Sequence, residues 1–350
     1  LRKIYIMMSS LEKSYEYNGK GLTGLGNLGN TCFINSTIQC LSHTYELNNF
    51  LNNGTYKKRI NKIPESLLLL EWDKLRQLMW SENCVIKPAG FISAVQKVAS
   101  IKDIDIFTGY AQNDLTEFLT FLLMSFHESI KREVEMNIKG NIENSIDKLA
   151  INCYKMMKNM YSKEYSEFLN MFYGIHVSKI VSKESEYESS SPEPFFMLNL
   201  PIGEEKSLEE SIRLYTGVEE LEDKIINEKT NKKELATKQI VFWNLPNILI
   251  ITLKRFNNNN EKNDGMVDFP IENLDLSEYV VGYNKNSYKY DLFGICNHSG
   301  GVSGGHYTSF VKNANGSWYH FNDTSVNKLK ESSLKTNMAY CFFYRKKILQ

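Results

Sequence analysis

The sequence predicts an α+β protein with a helical N-terminal half, a mainly antiparallel β C-terminal half and a cleft where the two meet. Three observations carry this. Apolar residues recur at three- and four-residue steps through the first half. In the second half the apolar segments become short, aromatic or β-branched, and are bounded by Gly, Asn or Pro. The composition, 42% apolar and 23% charged over 350 residues, is that of a globular protein with two or three lobes around one sizeable core.

Taken in chain order, Thr31–Leu41 carries Phe33, Ile34, Ile38 and Leu41 on one helical face. Glu65–Trp80 places Leu68, Trp72, Leu75 and Met79 at helical steps. Pro88 precedes a short amphipathic run, Phe91, Ile92, Val95 and Val98, and proline is tolerated in a first helical turn. Asp114–Ile130 has a broad stripe of Leu115, Phe118, Leu119, Leu122 and Phe126, and Ser145–Met160 reads as a fifth helix. The expected strands are Phe172–Val181, Pro194–Leu200, Ile248–Phe256, Tyr288–Cys296, His306–Lys312, Ser317–Phe321 and Tyr340–Arg345. Ser207-Leu-Glu-Glu210 predicts a capping box opening one helix among them.

Charge and cysteine usage exclude several function classes. Lys+Arg and Asp+Glu are 41 each, so nothing points to nucleic acid or an anionic membrane. No apolar run approaches the ~20 residues that span a bilayer, and Leu1–Met8 is too short for a secretory leader. The six cysteines are scattered, with no Cys-x-x-Cys pair, which leads us to expect reduced thiols in a cytoplasmic or nuclear protein and no zinc site. Between Glu184 and Asp223, twelve acidic residues face only Lys206 and Arg213, a net charge of −10 that reads as a solvated surface or a docking face for a basic partner.

Two segments carry chemistry. Gly21-Leu-Thr-Gly-Leu-Gly-Asn-Leu-Gly-Asn-Thr-Cys32 is a glycine-rich turn that opens a helix at a cysteine, where helix N–H groups lower a thiol pKa and favour thiolate. Those N–H groups, with an amide such as Asn27, suit a developing oxyanion. Far downstream, His298-Ser-Gly-Gly-Val-Ser-Gly-Gly-His306 puts a histidine at the mouth of a strand, and Trp318-Tyr-His-Phe-Asn322-Asp323 ends the next strand on an amide and a carboxylate. Nucleophile, base and orienting group for a cysteine protease are thus present as Cys32, His306 and Asn322 or Asp323. His43, His127, His176 and His320 have no such setting and read as ordinary core or surface residues.

At this point the motifs become specific. Gly26-Asn-Leu-Gly-Asn-Thr-Cys32-Phe-Ile-Asn-Ser with Gln39-Cys-Leu41 resembles the cysteine box of the ubiquitin-specific proteases. Tyr290-Asp-Leu-Phe-Gly-Ile, His298-Ser-Gly, Gly304-Gly-His306-Tyr and Trp318…Phe321-Asn-Asp resemble their histidine box. Gln112-Asn-Asp114-Leu-Thr-Glu117-Phe-Leu119 and Leu245-Pro-Asn-Ile-Leu-Ile-Ile-Thr-Leu-Lys-Arg-Phe256 are similar to two further motifs of that family, in the same order.

The resemblance implies a papain-like cysteine protease of thumb, palm and fingers architecture, with an extension at 1–20 and a catalytic domain at 21–346. Within it, 21–170 would be the thumb, 171–245 the fingers and 246–346 the palm. Cys32 would be the nucleophile, His306 the base and later acid, Asn322 the orienting group with Asp323 auxiliary or alternate, and Asn27 the oxyanion amide. Asp114 and Glu117 would meet the arginines of the ubiquitin tail, although an N-cap and first-turn role fits the same positions. Asn257–Gly265 and Ser299–Gly305 would be loops closing over a channel for two glycines. No cofactor or metal is implied. Many family members bind zinc at the fingertip through two Cys-x-x-Cys pairs, but no cysteine lies between Phe172 and Phe242. The fingers would then be held by strand pairing and contacts such as Phe195, Phe196 and Leu198. The expected partners are ubiquitin and ubiquitinated proteins, met by a monomer, with no nucleic acid or membrane. The rival readings are a protease for another ubiquitin-like modifier with a Gly-Gly tail, and a silent ubiquitin-binding scaffold. The scaffold's signature would be loss of Cys32 or His306, and both are present.

Overall fold

The computed structural model describes residues 16–257, 259, 261–301 and 304–348; most of the expected N-terminal extension, and parts of both expected channel loops, lie outside them. After a short strand β1 (Gly24–Leu25), the first half folds into helices α1 (Cys32–Ser42), α2 (Tyr45–Asn52), α3 (Glu65–Ser81), α4 (Ala89–Ile101), α5 (Leu115–Ile130), α6 (Ser145–Glu164) and α7 (Glu167–Phe172). Strand β2 (Val85–Ile86) pairs in parallel with β1 between α3 and α4.

The amphipathic stripes do what their spacing predicts. Trp72, Leu68 and Met79 of α3, Phe91 and Val98 of α4 and Phe118, Leu122 and Phe126 of α5 are buried in one cluster. That cluster continues under α1, every residue of which is buried. Burying one such large side chain is worth roughly 1.5–3 kcal/mol. A polar hub sits within this apolar mass. Asp73 accepts Arg76 Nη2 at 2.6 Å and Tyr56 Oη at 2.7 Å. Burial alone would raise the Asp73 carboxyl pKa, but Arg76 and Tyr56 outweigh it and hold the group below its ordinary value.

The second half contains two larger sheets. Strands β3 (Gly174–Ser182), β4 (Glu188–Phe195), β6 (Val218–Glu220) and β9 (Ala236–Asn244) form a four-stranded sheet in the order β4-β3-β9-β6. A hairpin of β7 (Ile225–Asn227) and β8 (Lys232–Glu234) extends from it. The larger sheet takes β5 (Met197–Leu200), β10 (Ile248–Leu253), β12 (Lys289–Gly301), β13 (Gly304–Lys312), β14 (Trp318–Asn322), β15 (Ser325–Leu329) and β16 (Ala339–Lys346) in the order β15-β14-β13-β12-β16-β10-β5, with β11 (Leu274–Asp275) beside β12. Helix α8 (Leu208–Thr216) lies between the two sheets in the chain.

Three expectations need correction here. Pro194–Leu200 is not one strand, because β4 ends at Phe195 and β5 starts at Met197. The capping box at Ser207 is half formed: Ser207 accepts from Glu210 N, but the Glu210 side chain is buried and its Oε2 has no partner among the described residues. Part of the acidic stretch is paired at the exposed surface, with Glu184, Glu205, Glu219 and Glu220 matched to Lys224, Arg213, Lys238 and Lys183, as a solvated surface allows. Lastly, strand pairing holds the fingers as expected and Phe195 stacks on His176 and packs against Phe242 of the four-stranded sheet, but Leu198 belongs to the core of the large sheet, and at the fingertip itself polar groups add the ties. Glu234 of β8 accepts Ser182 Oγ and Ser185 Oγ, both at 2.6 Å, and Asn227 Nδ2 at 2.8 Å. Asn227 Oδ1 in turn accepts the backbone N–H groups of Lys229 and Thr230. Ser182 and Ser185 keep the spacing of a Cys-x-x-Cys pair with hydroxyls in place of thiols.

Candidate active site

Helix α1 lies across the large sheet, with Ser36 Oγ donating to Thr308 O of β13 at 2.9 Å and Cys40 Sγ 3.6 Å from Cys296 Sγ of β12. This docking aims the N-terminus of α1 at the start of β13. Before it the chain turns sharply through Gly29 (φ +110°) and Asn30 (φ +54°), left-handed positions that glycine and asparagine occupy at least cost. Thr31 and Cys32 then open the helix.

Cys32 is a buried residue, 3% exposed, and its thiol pKa is raised, contrary to the lowering expected from sequence. Desolvation is the largest cause, opposed by the backbone N–H groups of Tyr307, Phe33 and Cys32 itself. The helix terminus therefore acts in the expected direction, and burial outweighs it. The Tyr307 N–H at the sulfur puts the thiol one residue from His306. Among the described residues no hydrogen bond joins Cys32 to the His306 ring. The ring is held from its other nitrogen, with Nε2 2.7 Å from Asn322 Oδ1. An amide oxygen only accepts, so Nε2 carries the proton and Nδ1 keeps the lone pair that a general base needs.

Asn322 and Asp323 are adjacent yet do different things. Asn322 ends β14 and faces the imidazole, whereas Asp323 sits in the left-handed turn (φ +48°) and faces away from it. Its Oδ2 accepts Asn27 Nδ2 at 3.1 Å and its Oδ1 accepts Asn35 Nδ2 at 2.8 Å. The expected alternate role of Asp323 as the group orienting His306 is corrected by this geometry: Asp323 positions Asn27. Asn27 Oδ1 is fixed as well, accepting from Gly29 N, Thr31 N and Thr31 Oγ1. One proton of the Asn27 amide remains for an oxyanion.

The cleft between α5 and the β12–β13 hairpin has a volume of about 490 Å³, and Cys32, Gln112, Asp114, Glu117, Phe256 and Tyr307 are among its walls. Asp114 is the N-cap of α5, accepting from Thr116 N and Glu117 N, and its Oδ2 accepts Tyr340 Oη at 2.7 Å. Its oxygens are thus engaged within the fold, as the N-cap alternative required. Glu117 is exposed, and among the described residues its carboxylate makes no side-chain bond. Two further residues, which sequence reading noted only as motif or loop positions, define the cleft. Lys262 Nζ donates to the His298 and Gly300 carbonyls at 3.0 Å, fixing one side of the hairpin. Gln112 bonds both backbone groups of Gly305 on the other side. His298 lies under the hairpin among Phe256, Tyr307 and Tyr340, and burial lowers its pKa to about 4. Away from the cleft, His127, Glu128 and Glu164 bring ligand-type atoms together, but Lys131 already pairs with both carboxylates.

A buried thiol beside a strand-borne histidine, an amide on that histidine and a second amide held over the helix terminus suffice for acyl transfer through a thioester. The model of the family described as ubiquitin carboxyl-terminal hydrolase matches residues 23–344. The chain belongs to that family. The human ubiquitin carboxyl-terminal hydrolase 2 (Homo sapiens) is 34% identical over 343 residues, covering 93% of this chain and 55% of the relative. The corresponding chicken protein (Gallus gallus) is 34% identical over 341 residues, covering 93% of each. The chain thus spans little more than half the length of the human hydrolase. Among solved structures, the SAGA DUB module of Ubp8, Sgf11, Sus1 and Sgf73 bound to monoubiquitin superposes with a TM-score of 0.73 at 25% identity, covering 95% of this chain and 70% of that one. A yeast SAGA DUB module with an Sgf73 variant gives 0.72 at 26% identity, with the same coverage. This is the α+β, papain-like architecture of the ubiquitin-specific proteases, expected from the four sequence motifs.

Proposed function

We propose that this chain is a thiol hydrolase that cleaves the bond after the C-terminal glycine of ubiquitin. One observation supports it above all: family membership coincides with an intact set of Cys32 in the cleft wall, His306 bonded to Asn322 and a pre-positioned Asn27. On this reading closure around substrate brings Nδ1 to the thiol while Nε2 stays on Asn322, as apposition completed on binding often does. Nδ1 takes the Cys32 proton, and the thiolate attacks the glycine carbonyl. Asn27 Nδ2 and the N–H groups opening α1 receive the oxyanion. The imidazolium then protonates the departing lysine amine, and the same nitrogen activates the water that opens the thioester. Asn322 keeps the proton on Nε2 throughout. Glu117 is the carboxylate available to an arginine of the incoming tail, and two glycines suit a channel without room for side chains. The six unpaired cysteines suit a reducing, intracellular compartment.

The test is hydrolysis of fluorogenic amides of ubiquitin and of other modifiers ending in Gly-Gly. The proposal predicts turnover of the ubiquitin amide and loss of at least about a thousandfold in Cys32→Ser or His306→Ala. Turnover of another modifier alone would move the specificity. No turnover with any of them would make the chain a binding scaffold.

A further inference from the structure

Gln112 makes an unusual contact for a cleft-lining side chain. Strand β14 pairs with β13 only from Ser309 to Lys312, so on that side Gly305–Tyr307 has no strand neighbour among the described residues. The backbone groups pointing out of this edge are spoken for all the same. Tyr307 N–H faces the Cys32 thiol. Gly305 N–H donates to Gln112 Oε1 at 2.8 Å, and Gly305 C=O accepts from Gln112 Nε2 at 3.0 Å. A carboxamide that satisfies both polar groups of one strand residue reproduces the pairing of an adjacent strand. Gly305 itself is held in place: a Cβ there would stand 2.3 Å from His298 Nε2.

Gly305 and Tyr307 are outward-facing neighbours on the edge, about 6.8 Å apart at strand spacing. An extended segment with its last carbonyl at Cys32 brings the main chain of its preceding residues to Gly305, the place the Gln112 carboxamide holds. We infer that Gln112 is a peptide-mimicking latch, occupying the β13 edge in the free protein and yielding it to the main chain of an extended substrate tail. This rests on the proposed reading of the cleft as the site of a ubiquitin tail. The apparent affinity for the tail is then reduced by the fraction of molecules with the latch closed, and removing the carboxamide restores it.

The experiment uses the full chain with Gln112→Ala and Gln112→Glu. Amide hydrogen exchange at Gly305 is read in the free protein, and KM is read with the ubiquitin amide. The latch predicts exchange at Gly305 about three- to tenfold faster in Gln112→Ala, with the rest of β12 and β13 unchanged, and KM lowered by a similar factor. Gln112→Glu retains an acceptor for Gly305 N–H and loses the donor, so its exchange falls between the two. Unchanged exchange at Gly305 overturns the latch. Faster exchange with a raised KM also overturns it, because Gln112 would then grip substrate. If the wild-type chain turns over no ubiquitin amide, the functional reading fails instead, and the exchange measurement alone decides whether Gln112 closes the edge.

Discussion

The helical half and the fingertip are stabilised in opposite ways. The first is a dry aromatic and aliphatic mass in which Trp72, Phe118 and Phe126 are fully buried and one charged hub, Asp73 with Arg76, is enclosed. The fingertip has no such mass: Val218, Ile226 and Leu235 are exposed, and the hairpin is tied down by hydrogen bonds to the Glu234 carboxylate. Apolar packing couples many residues, so damage in the helical half spreads. A hydrogen-bonded knot couples only its own members, so damage there stays local. Cys32, the proposed nucleophile, sits on the cooperative side, where a helix buried along its whole length fixes its position to the sheet.

The largest effect that sharpens this contrast is Asp73→Ala, which leaves the Arg76 guanidinium buried without its partner. It should cost about 3–5 kcal/mol and lower the midpoint of global denaturant unfolding. A loss confined to local exchange would erase the contrast. Acid comes next. His43, the C-cap of α1, is fully buried, its Nδ1–H donates to Gln39 O at 2.9 Å, and burial lowers its pKa from 6.5 to about 4. The unfolded chain binds a proton that the folded ring refuses, so stability falls as pH drops from 6.5 towards 4, by about 3 kcal/mol for this group at the lower end. His43→Gln should flatten that part of a pH–stability curve. The smallest global effect belongs to Glu234→Ala: amide exchange across Ile225–Glu234 should quicken about tenfold while the helical half is unchanged. The Ser182 and Ser185 hydroxyls hold this carboxyl pKa below its ordinary value. The fingertip is therefore secure above the usual carboxylate range and loosens as pH falls through the depressed value.

Much of this was legible in sequence because burial on one face leaves a period. Helices α3, α4 and α5 appear where their stripes predicted them. Strand β9 was not foreseen, since Thr237-Lys-Gln-Ile240 is half-exposed along its length and shows no alternation. Nor was β4, whose Pro192 and Pro194 argue against a strand and are tolerated because β4 is an edge. Residue type and spacing singled out Cys32, His306 and the pair Asn322–Asp323, and the family resemblance put Asn322 first. The division of labour between Asn322 and Asp323 was not readable, because it depends on one left-handed residue that turns neighbouring side chains in different directions. Gln112 was visible only as part of a motif, since its role depends on where β14 stops pairing. The thiol's burial was equally hidden, being set by contacts with strands nearly three hundred residues away in the chain.

The most direct test of the account is reaction with ubiquitin whose terminal carboxylate is replaced by a thiol-reactive electrophile, followed by peptide mapping of the adduct. The account predicts one adduct, on Cys32, absent in Cys32→Ala and much slower to form in His306→Ala. An adduct on another of the six cysteines, or one that survives Cys32→Ala, would contradict it.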